Sequence, residues 1–287
     1  MAVYRRGYSR YEGALTSQRS RLLVLPRFAW ERLMQQRLIV ILFVVSMFWP
    51  LACAAFVYLS NHMDLLGGFG GGGVQDFMKI DAHFFFTFMN AQATFAIILS
   101  AFAGPSLIAP DLANGALQLY FSRPLSRSEY ICSRMLVLIG VLSPVTWVPG
   151  LLLFFMQSGM APAAWFTENW KLGAGIFLGF LLWIVLVSLV ALASSAYVKW
   201  RVVAGALVLG IFFVLAGAAE LTNAVLRVEW AAAANPARAM DQIWRWMFGL
   251  APIDGPGVLE CSIAIGVMAM LLLFVLERKI RPVEVVS

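Results

Sequence analysis

Two long runs without a charged residue constrain this chain more than any other feature. The first extends from Leu38 to Ser60 and the second from Phe84 to Ile108. A helix of roughly 20 apolar residues is long enough to cross the hydrocarbon core of a bilayer, which is about 30 Å thick. Each run is therefore predicted to be a membrane-spanning helix.

Four further apolar runs have the length of a span. They cover residues 135–157, 172–198, 202–219 and 258–276. With 61% hydrophobic and only 13% charged residues, the chain has too little polar surface for a soluble domain. The runs also lack the short alternating pattern of a membrane barrel. We therefore predict an all-α integral membrane protein, with a cytoplasmic amino-terminal region over residues 1–37 and a six-span transmembrane domain over residues 38–287.

The distribution of basic residues predicts the orientation, because cytoplasmic loops carry an excess of Lys and Arg. With six spans, 16 of the 21 Lys and Arg residues fall on one face, and the other five share their face with nine acidic residues. Both termini are therefore expected on the cytoplasmic side of a bacterial-type plasma or inner membrane. The net charge of +6 follows from this asymmetry, so it gives little support to nucleic-acid binding.

An interfacial helix is predicted just before the first span, in PRFAWERLMQQR. Pro26 occupies a favoured first position of a helix. One side of that helix would be apolar and the other polar. The apolar side comprises Ala29, Trp30, Leu33 and Met34, and the polar side Arg27, Glu31, Arg32 and Gln35. We expect this helix to lie at the cytoplasmic membrane surface; the alternative is that it extends the first span by two turns.

The sequence lacks the elements of an ATP-hydrolysing or ion-coupled protein. GGFGGGG, residues 67–73, is not followed by the Lys and Ser or Thr of a phosphate-binding loop, and GxxxxGK[ST] does not occur anywhere in the chain. No carboxylate or basic residue lies in the interior of the spans, where an ion-coupled carrier or a membrane-embedded enzyme would need one. We therefore expect no catalytic activity and no bound cofactor in this polypeptide.

A few polar residues leave alternatives open. Asn90, Gln92 and Thr94 in the second span are candidates for a substrate pathway, although hydrogen bonds between helices would explain them equally well. His62 and His83, with acidic residues nearby, leave a metal site possible in the first outer loop. The three cysteines indicate neither a disulfide framework nor a thiolate metal cluster and are expected to be buried.

The loop between the second and third spans, DLANGALQLYFSRPLSRSEY over residues 111–130, is strongly patterned. Asp111 is predicted to cap a short helix, and the apolar residues recur at helical spacing to give it one apolar face. These are Leu112, Ala116, Leu119 and Tyr120. Pro124 would end that helix. Ser126 and Glu129 then have the spacing of a capping box that starts the next helix.

This loop resembles the loop between the second and third spans of type-2 ABC transporter permeases. The resemblance rests on D-x-x-x-G-x-L-x-L, then S-R-P-L-S-R, then Tyr130 and Arg134. The six spans, the amphipathic segment before the first span and the basic end ERKIRP are also similar to the family. In that family the loop forms a coupling helix that docks on a separate ATP-binding subunit. The resemblance implies the same contact here, through Asp111, Gly115, Leu119, Arg123 and Arg127.

The segment between the fifth and sixth spans contains NPARAMDQIWRWMFG, which has the pattern of an amphipathic helix. One face would hold Met240, Ile243, Trp244 and Met247, while Arg238, Asp241, Gln242 and Arg245 would face elsewhere. The resemblance implies an interfacial or re-entrant helix that helps to gate the outer exit. Plain anchoring by aromatic residues at the membrane surface is the alternative.

The expected function is that of the transmembrane subunit of an ABC exporter. A partner ATPase would bind ATP and Mg²⁺, and a second permease chain, either a copy or a sister subunit, would complete the pathway within the membrane lipid. The alternative is a non-transport scaffold or assembly subunit of a larger membrane complex. Such a scaffold would not require an associated ATPase.

The six-span arrangement predicts which positions a membrane-impermeant thiol reagent reaches in intact cells. In a cysteine-free background, single cysteines introduced in 64–78 or 228–256 should be labelled, because these loops are expected outside. Cysteines in 112–128 should be labelled only after the membrane is permeabilised. Labelling of 112–128 in intact cells would contradict the orientation.

Overall fold

The computed structural model describes residues 18–62, 79–115, 126–162, 164–198 and 200–280. Regular structure in these ranges is helical, and they contain no strand. The helices are α1 (Gln18–Met34), α2 (Arg37–Asn61), α3 (Ala82–Ala103), α4 (Pro105–Ala113), α5 (Arg127–Leu142), α6 (Trp147–Met160), α7 (Ala164–Tyr197), α8 (Arg201–Leu226), α9 (Pro236–Phe248) and α10 (Val258–Lys279), with short 3-10 segments at Ser143–Val145 and Trp230–Ala234.

Within the described residues, six helical segments are long and apolar enough to cross a membrane, as the sequence predicted. They are Arg37–Asn61, Ala82–Ala113, Arg127–Met160, Ala164–Tyr197, Arg201–Leu226 and Val258–Lys279. This is the architecture of a multi-pass membrane protein. Each of these segments is longer than the predicted run, because the helix continues into polar residues that a search for apolar stretches leaves out.

Two spans are interrupted, which the sequence reading did not predict. The second is divided at Gly104, which keeps helical dihedral angles (φ −57°, ψ −51°) and is followed by Pro105 at the start of α4. The third is broken by the 3-10 segment Ser143–Val145 around Pro144. Proline lacks the backbone N–H of the helical ladder, and its ring clashes with the preceding turn. Near the second break, Thr146 Oγ1 donates to the Leu142 carbonyl at 2.8 Å.

Helix α7 is the centre of the bundle and contacts every helix from α3 to α10. Of its most apolar stretch 72% is buried, against 6% for α10 at the periphery. Its neighbours approach closely where a glycine lies at the contact. A Cβ added to Gly104 would lie 2.6 Å from the Cβ of Ala191, and one added to Gly179 would lie 2.8 Å from the Trp244 ring. Small residues at helix contacts are typical of membrane bundles.

Hydrogen bonds reinforce the contacts of α7 with the second span. Trp183 Nε1 donates to the Ala93 carbonyl of α3 at 3.2 Å. Ser195 Oγ accepts from the Ala109 amide of α4 at 2.9 Å. Both groups are buried, so each bond avoids leaving a polar atom without a partner inside the bundle. The second span is thereby joined to α7 along most of its length.

The bundle has two distinct ends. One end is formed by α1, α4, the start of α5 and the final turns of α7 and α10, and we call it the loop end. There Ser106 Oγ donates to Gln36 Oε1 at 3.3 Å, and the Lys279 ammonium lies 5.1 Å from the Tyr197 ring centre. The opposite end carries α9 and the segments that flank it.

Helix α1 is separate from α2 and packs against α5 at the loop end. Gln36 has an extended backbone, with φ −82° and ψ 111°, which ends any continuous helix between the two. Leu33 is buried, and Trp30 lies against Gly140. The predicted entry at Pro26 is wrong, since Pro26 lies within α1. The amphipathic pattern thus serves a protein contact.

Helix α9 is inserted among α3, α7, α8 and α10. Its start is capped by Asn235, whose Oδ1 accepts from the Ala237 amide at 3.1 Å, and it ends at Gly249 in the left-handed conformation. Met240, Ile243 and Trp244 are buried, as their spacing predicted. Gln242, by contrast, was expected to face elsewhere, yet it is also buried. Its Oε1 accepts from the Ile253 amide at 2.9 Å, which holds the chain that follows α9.

The close approach of α7 and α9 predicts that bulk at Gly179 destabilises the protein. Gly179→Leu should lower the free energy of unfolding by about 2 kcal/mol or more, because the new side chain would meet Trp244 and Met89. Gly217→Leu is the matched control, since a Cβ there meets no atom within 4 Å. Thermal unfolding of both variants in detergent should separate them clearly. Equal losses of unfolding free energy in the two variants would contradict a close contact between α7 and α9 at Gly179.

Candidate functional site

A buried ion pair joins the last turn of the second span to the start of the third. Arg134 Nη2 on α5 donates to Asp111 Oδ2 on α4 at 2.5 Å. Tyr130 donates its hydroxyl hydrogen to the same oxygen at 2.8 Å, and the Arg134 guanidinium lies 5.0 Å from the centre of the Tyr130 ring. The Arg134 side chain is 7% exposed and the Asp111 side chain is 12% exposed. We call these three residues the loop anchor.

The local sequence prepares both ends of the loop that the anchor closes. On one side, α4 ends at Ala113 and Gly115 takes a left-handed backbone with φ 67°. On the other, Ser126 Oγ accepts from the Glu129 amide at 3.2 Å while Glu129 Oε2 accepts from the Ser126 amide at 2.7 Å. This confirms the predicted capping box. The chain therefore leaves and re-enters the bundle at fixed points.

The residues predicted to contact an ATPase are placed differently from one another. Asp111 was expected to start a helix, and this prediction is wrong. It lies in the last turn of α4, because that helix begins six residues earlier at Pro105. Gly115 and Arg127 are exposed beside the loop anchor. Leu119 and Arg123 lie outside the described residues, as do Pro124 and the glycine run over 67–73.

The candidate pathway residues of the second span face different partners. Gln92 is buried and donates to the Ser46 carbonyl of α2 at 3.1 Å. Asn90 is half-buried and donates to Asp241 Oδ1 of α9 at 3.1 Å. Thr94 is exposed and donates to the Asn90 carbonyl of its own helix at 3.1 Å. Gln92 thus acts as a contact between helices, whereas Asn90 and Thr94 lie at the accessible side of α3.

Asn90 meets a charged pair on α9 that was not predicted from the sequence to lie there. Asp241 and Arg245 form an ion pair at 3.4 Å along α9, and the Arg245 guanidinium lies 4.6 Å from the centre of the Phe86 ring on α3. Both side chains are about three-quarters buried, with 21% and 26% of their surface exposed. Their i,i+4 spacing was visible in the sequence, but nothing there placed α9 against the second span.

The described residues contain no group of three or more His, Cys, Asp or Glu side chains that could hold a metal ion. His62 stacks on Tyr58 with ring centres 4.3 Å apart, and His83 lies 6.3 Å from the ring of Phe86. Each histidine thus packs against an aromatic ring of its own helix. Cys53 and Cys261 are buried, as expected, whereas Cys132 is exposed.

Neither the family models nor the curated proteins compared with this chain match it.

The loop anchor predicts a specific pattern of stability losses. Arg134→Gln should lower the free energy of unfolding by about 3 kcal/mol, because it leaves a largely buried carboxylate without its cation. Asp111→Asn should have a comparable effect, because it leaves the buried Arg134 guanidinium without its anion. The double variant should lose much less than the sum of the two. Arg27→Gln is the control, since its ion pair with Glu31 is exposed and contributes under about 1 kcal/mol. Additive losses in detergent unfolding experiments would contradict a coupled pair.

Proposed function

We propose that this chain is the transmembrane permease subunit of an ATP-driven ABC exporter. The observation that carries the proposal is the loop anchor. Asp111, Tyr130 and Arg134 are positions of the motif that resembles the permease loop, and they form one buried contact that fixes both ends of that loop. A loop that transmits force from a partner needs such rigid attachment points, because a flexible connection would absorb the displacement.

The charges at the two ends support the proposed orientation. Among the described residues, the loop end has an excess of Arg and Lys, and the opposite end carries more acids than bases. Basic ends face the cytoplasm. We therefore place the loop end and both termini in the cytoplasm of a cell whose membrane the chain spans. The coupling loop then faces a soluble ATPase, which supplies the bound ATP and Mg²⁺.

The accessible side of α3 is the proposed wall of the transport pathway. Thr87 and Thr94 are exposed there, one turn to either side of the half-buried Asn90. Both hydroxyl groups donate to backbone carbonyls within this helical segment, and polar side chains on the surface of a span suit a water-filled path or a contact with a second permease chain. In this proposal two chains, identical or sister subunits, enclose the pathway between them.

The proposed outer gate is α9. It is held against the second span by the bond from Asn90 to Asp241, and Arg238 binds Glu220 of α8 at 2.9 Å. Polar bonds and the Trp244 contact together hold α9 in one position, and a packed helix of this kind can switch to a second position when the surrounding helices rock. The buried Trp244 against Gly179 favours this role over anchoring at the membrane surface, since an anchoring tryptophan would face lipid.

The proposal predicts that the loop decides whether an ATPase associates with the chain. Purified alone, the chain should show no ATP hydrolysis; with the ATPase encoded beside it, hydrolysis should appear and respond to the permease. Arg123→Glu should weaken the complex many-fold, because it reverses a charge at the proposed contact. Arg27→Glu makes the same reversal on the exposed side of α1 and should leave association unchanged.

Gly115 gives a second test of the same contact. Its left-handed backbone is strained for most side chains but tolerates asparagine. Gly115→Asn should therefore keep the loop geometry, while Gly115→Val should disturb it and reduce co-purification of the ATPase. Insertion and expression of every variant must match the unaltered chain. Hydrolysis by the isolated chain, or normal association and coupling in Arg123→Glu and Gly115→Val, would instead support a scaffold subunit.

A further inference from the structure

A polar cavity of about 120 Å³ lies at the loop end, between α1, α4 and α5. Its apolar walls are Phe28, Ala29, Leu33 and Leu107, and its polar walls are Arg32, Gln36, Ser106, Asp111 and Arg134. Such a volume is large enough for several water molecules or one small polar group. The cavity therefore combines an apolar floor with a set of hydrogen-bonding side chains.

The charges around the cavity favour an anion. Asp111 is compensated by Arg134 within the loop anchor, whereas Arg32 forms no ion pair with any described residue. Two arginines and one aspartate leave a net charge of +1 on the walls. A singly charged anion would balance it, and an arginine guanidinium suits phosphate oxygens particularly well.

Gln36 and Ser106 supply the remaining polar groups. Ser106 Oγ lies 3.3 Å from Gln36 Oε1, and the amide nitrogen of Gln36 makes no hydrogen bond to a described residue. This leaves an amide donor beside Arg32 at the cavity wall. A tetrahedral phosphate presents several acceptor oxygens, so it can use donors that arrive from two different helices.

The depth of the cavity matches that of lipid headgroups. Gln36 directly precedes the span that begins at Arg37, and Asp111 lies in the last turn of the span that ends at Ala113. The cavity is thus level with the ends of two spans. Phe28, at its rim, is 66% exposed, which provides an apolar surface for the glycerol and upper acyl chain of a bound lipid.

We propose that this cavity binds a phosphate group, supplied by the headgroup of an anionic phospholipid. Arg32 and Gln36 donate to the phosphate oxygens, and the buried faces of Leu33 and Leu107 form the floor below it. The lipid would bridge α1 to the second span and so hold α1 in place at the membrane surface. This site is independent of any transport activity.

Native mass spectrometry of the full-length chain in mild detergent tests the proposal. Phosphatidylglycerol should be retained at lipid concentrations at which phosphatidylcholine is lost. Arg32→Gln should weaken phosphatidylglycerol binding roughly tenfold, the usual effect of one charge-assisted hydrogen bond. Arg27→Gln removes the same charge five residues earlier in α1, outside the cavity, and should change binding less than about twofold.

Two further measurements make the outcome decisive. Gln36→Ala should also weaken binding, because it removes the second proposed donor, and it provides an answer if Arg32→Gln fails to fold. Inorganic phosphate at millimolar concentration should not displace the lipid; displacement would show that the cavity recognises a free phosphate ion. Equal retention of the two lipids, or equal effects of Arg27→Gln and Arg32→Gln, would overturn the proposal, since general surface charge would then explain the binding.

Discussion

The close packing of helices around α7 is the constraint on which the rest of the structure depends. Inside a membrane, the hydrophobic effect does not drive helices together, because lipid tails are as apolar as leucine side chains. Association therefore depends on van der Waals contact at short distance and on a few buried hydrogen bonds. The close contacts are those of Gly104 with Ala191 and of Gly179 with Trp244. A buried hydrogen bond runs from Trp183 to the Ala93 carbonyl. Because α3, α4 and α9 are placed by these contacts, the positions of the loop anchor and of the Asn90–Asp241 bond follow from them.

Both charged clusters lie where the chain leaves the packed bundle. The loop anchor closes the gap between the second and third spans, and Asp241 with Arg245 connects α9 to the second span at the opposite end. Each partly buried charge has an opposite charge beside it, as the low dielectric of a membrane bundle requires. The second span carries one cluster near each end. In the proposed exporter, displacement of the loop by an ATPase would therefore reach the proposed gate through a single helical segment joined to α7 at Trp183 and Ser195.

Several local features were predictable because they depend on neighbours in the sequence. The Ser126–Glu129 capping box involves residues three positions apart, and the buried face of α9 follows from helical spacing. Other predictions failed where distant residues intervened. Asp111 was expected to cap a helix, but Arg134 and Tyr130 hold it at a helix end. Gln242 was expected to face away from the apolar side of α9, yet it is buried, because the Ile253 amide donates to it from the chain that follows α9.

What the sequence determined by itself is the number of spans and the helical class, since the length of an apolar run must match the membrane thickness and its backbone must satisfy its own hydrogen bonds. The sequence also determined the charge difference between the two ends. Only the tertiary structure decided that α1 packs on α5, that Asn90 meets Asp241, and that Arg32, Gln36 and Ser106 surround one cavity. The physical reason is that each of these contacts joins residues from separate helices. Their meeting depends on how closely the helices pack, which no local pattern records.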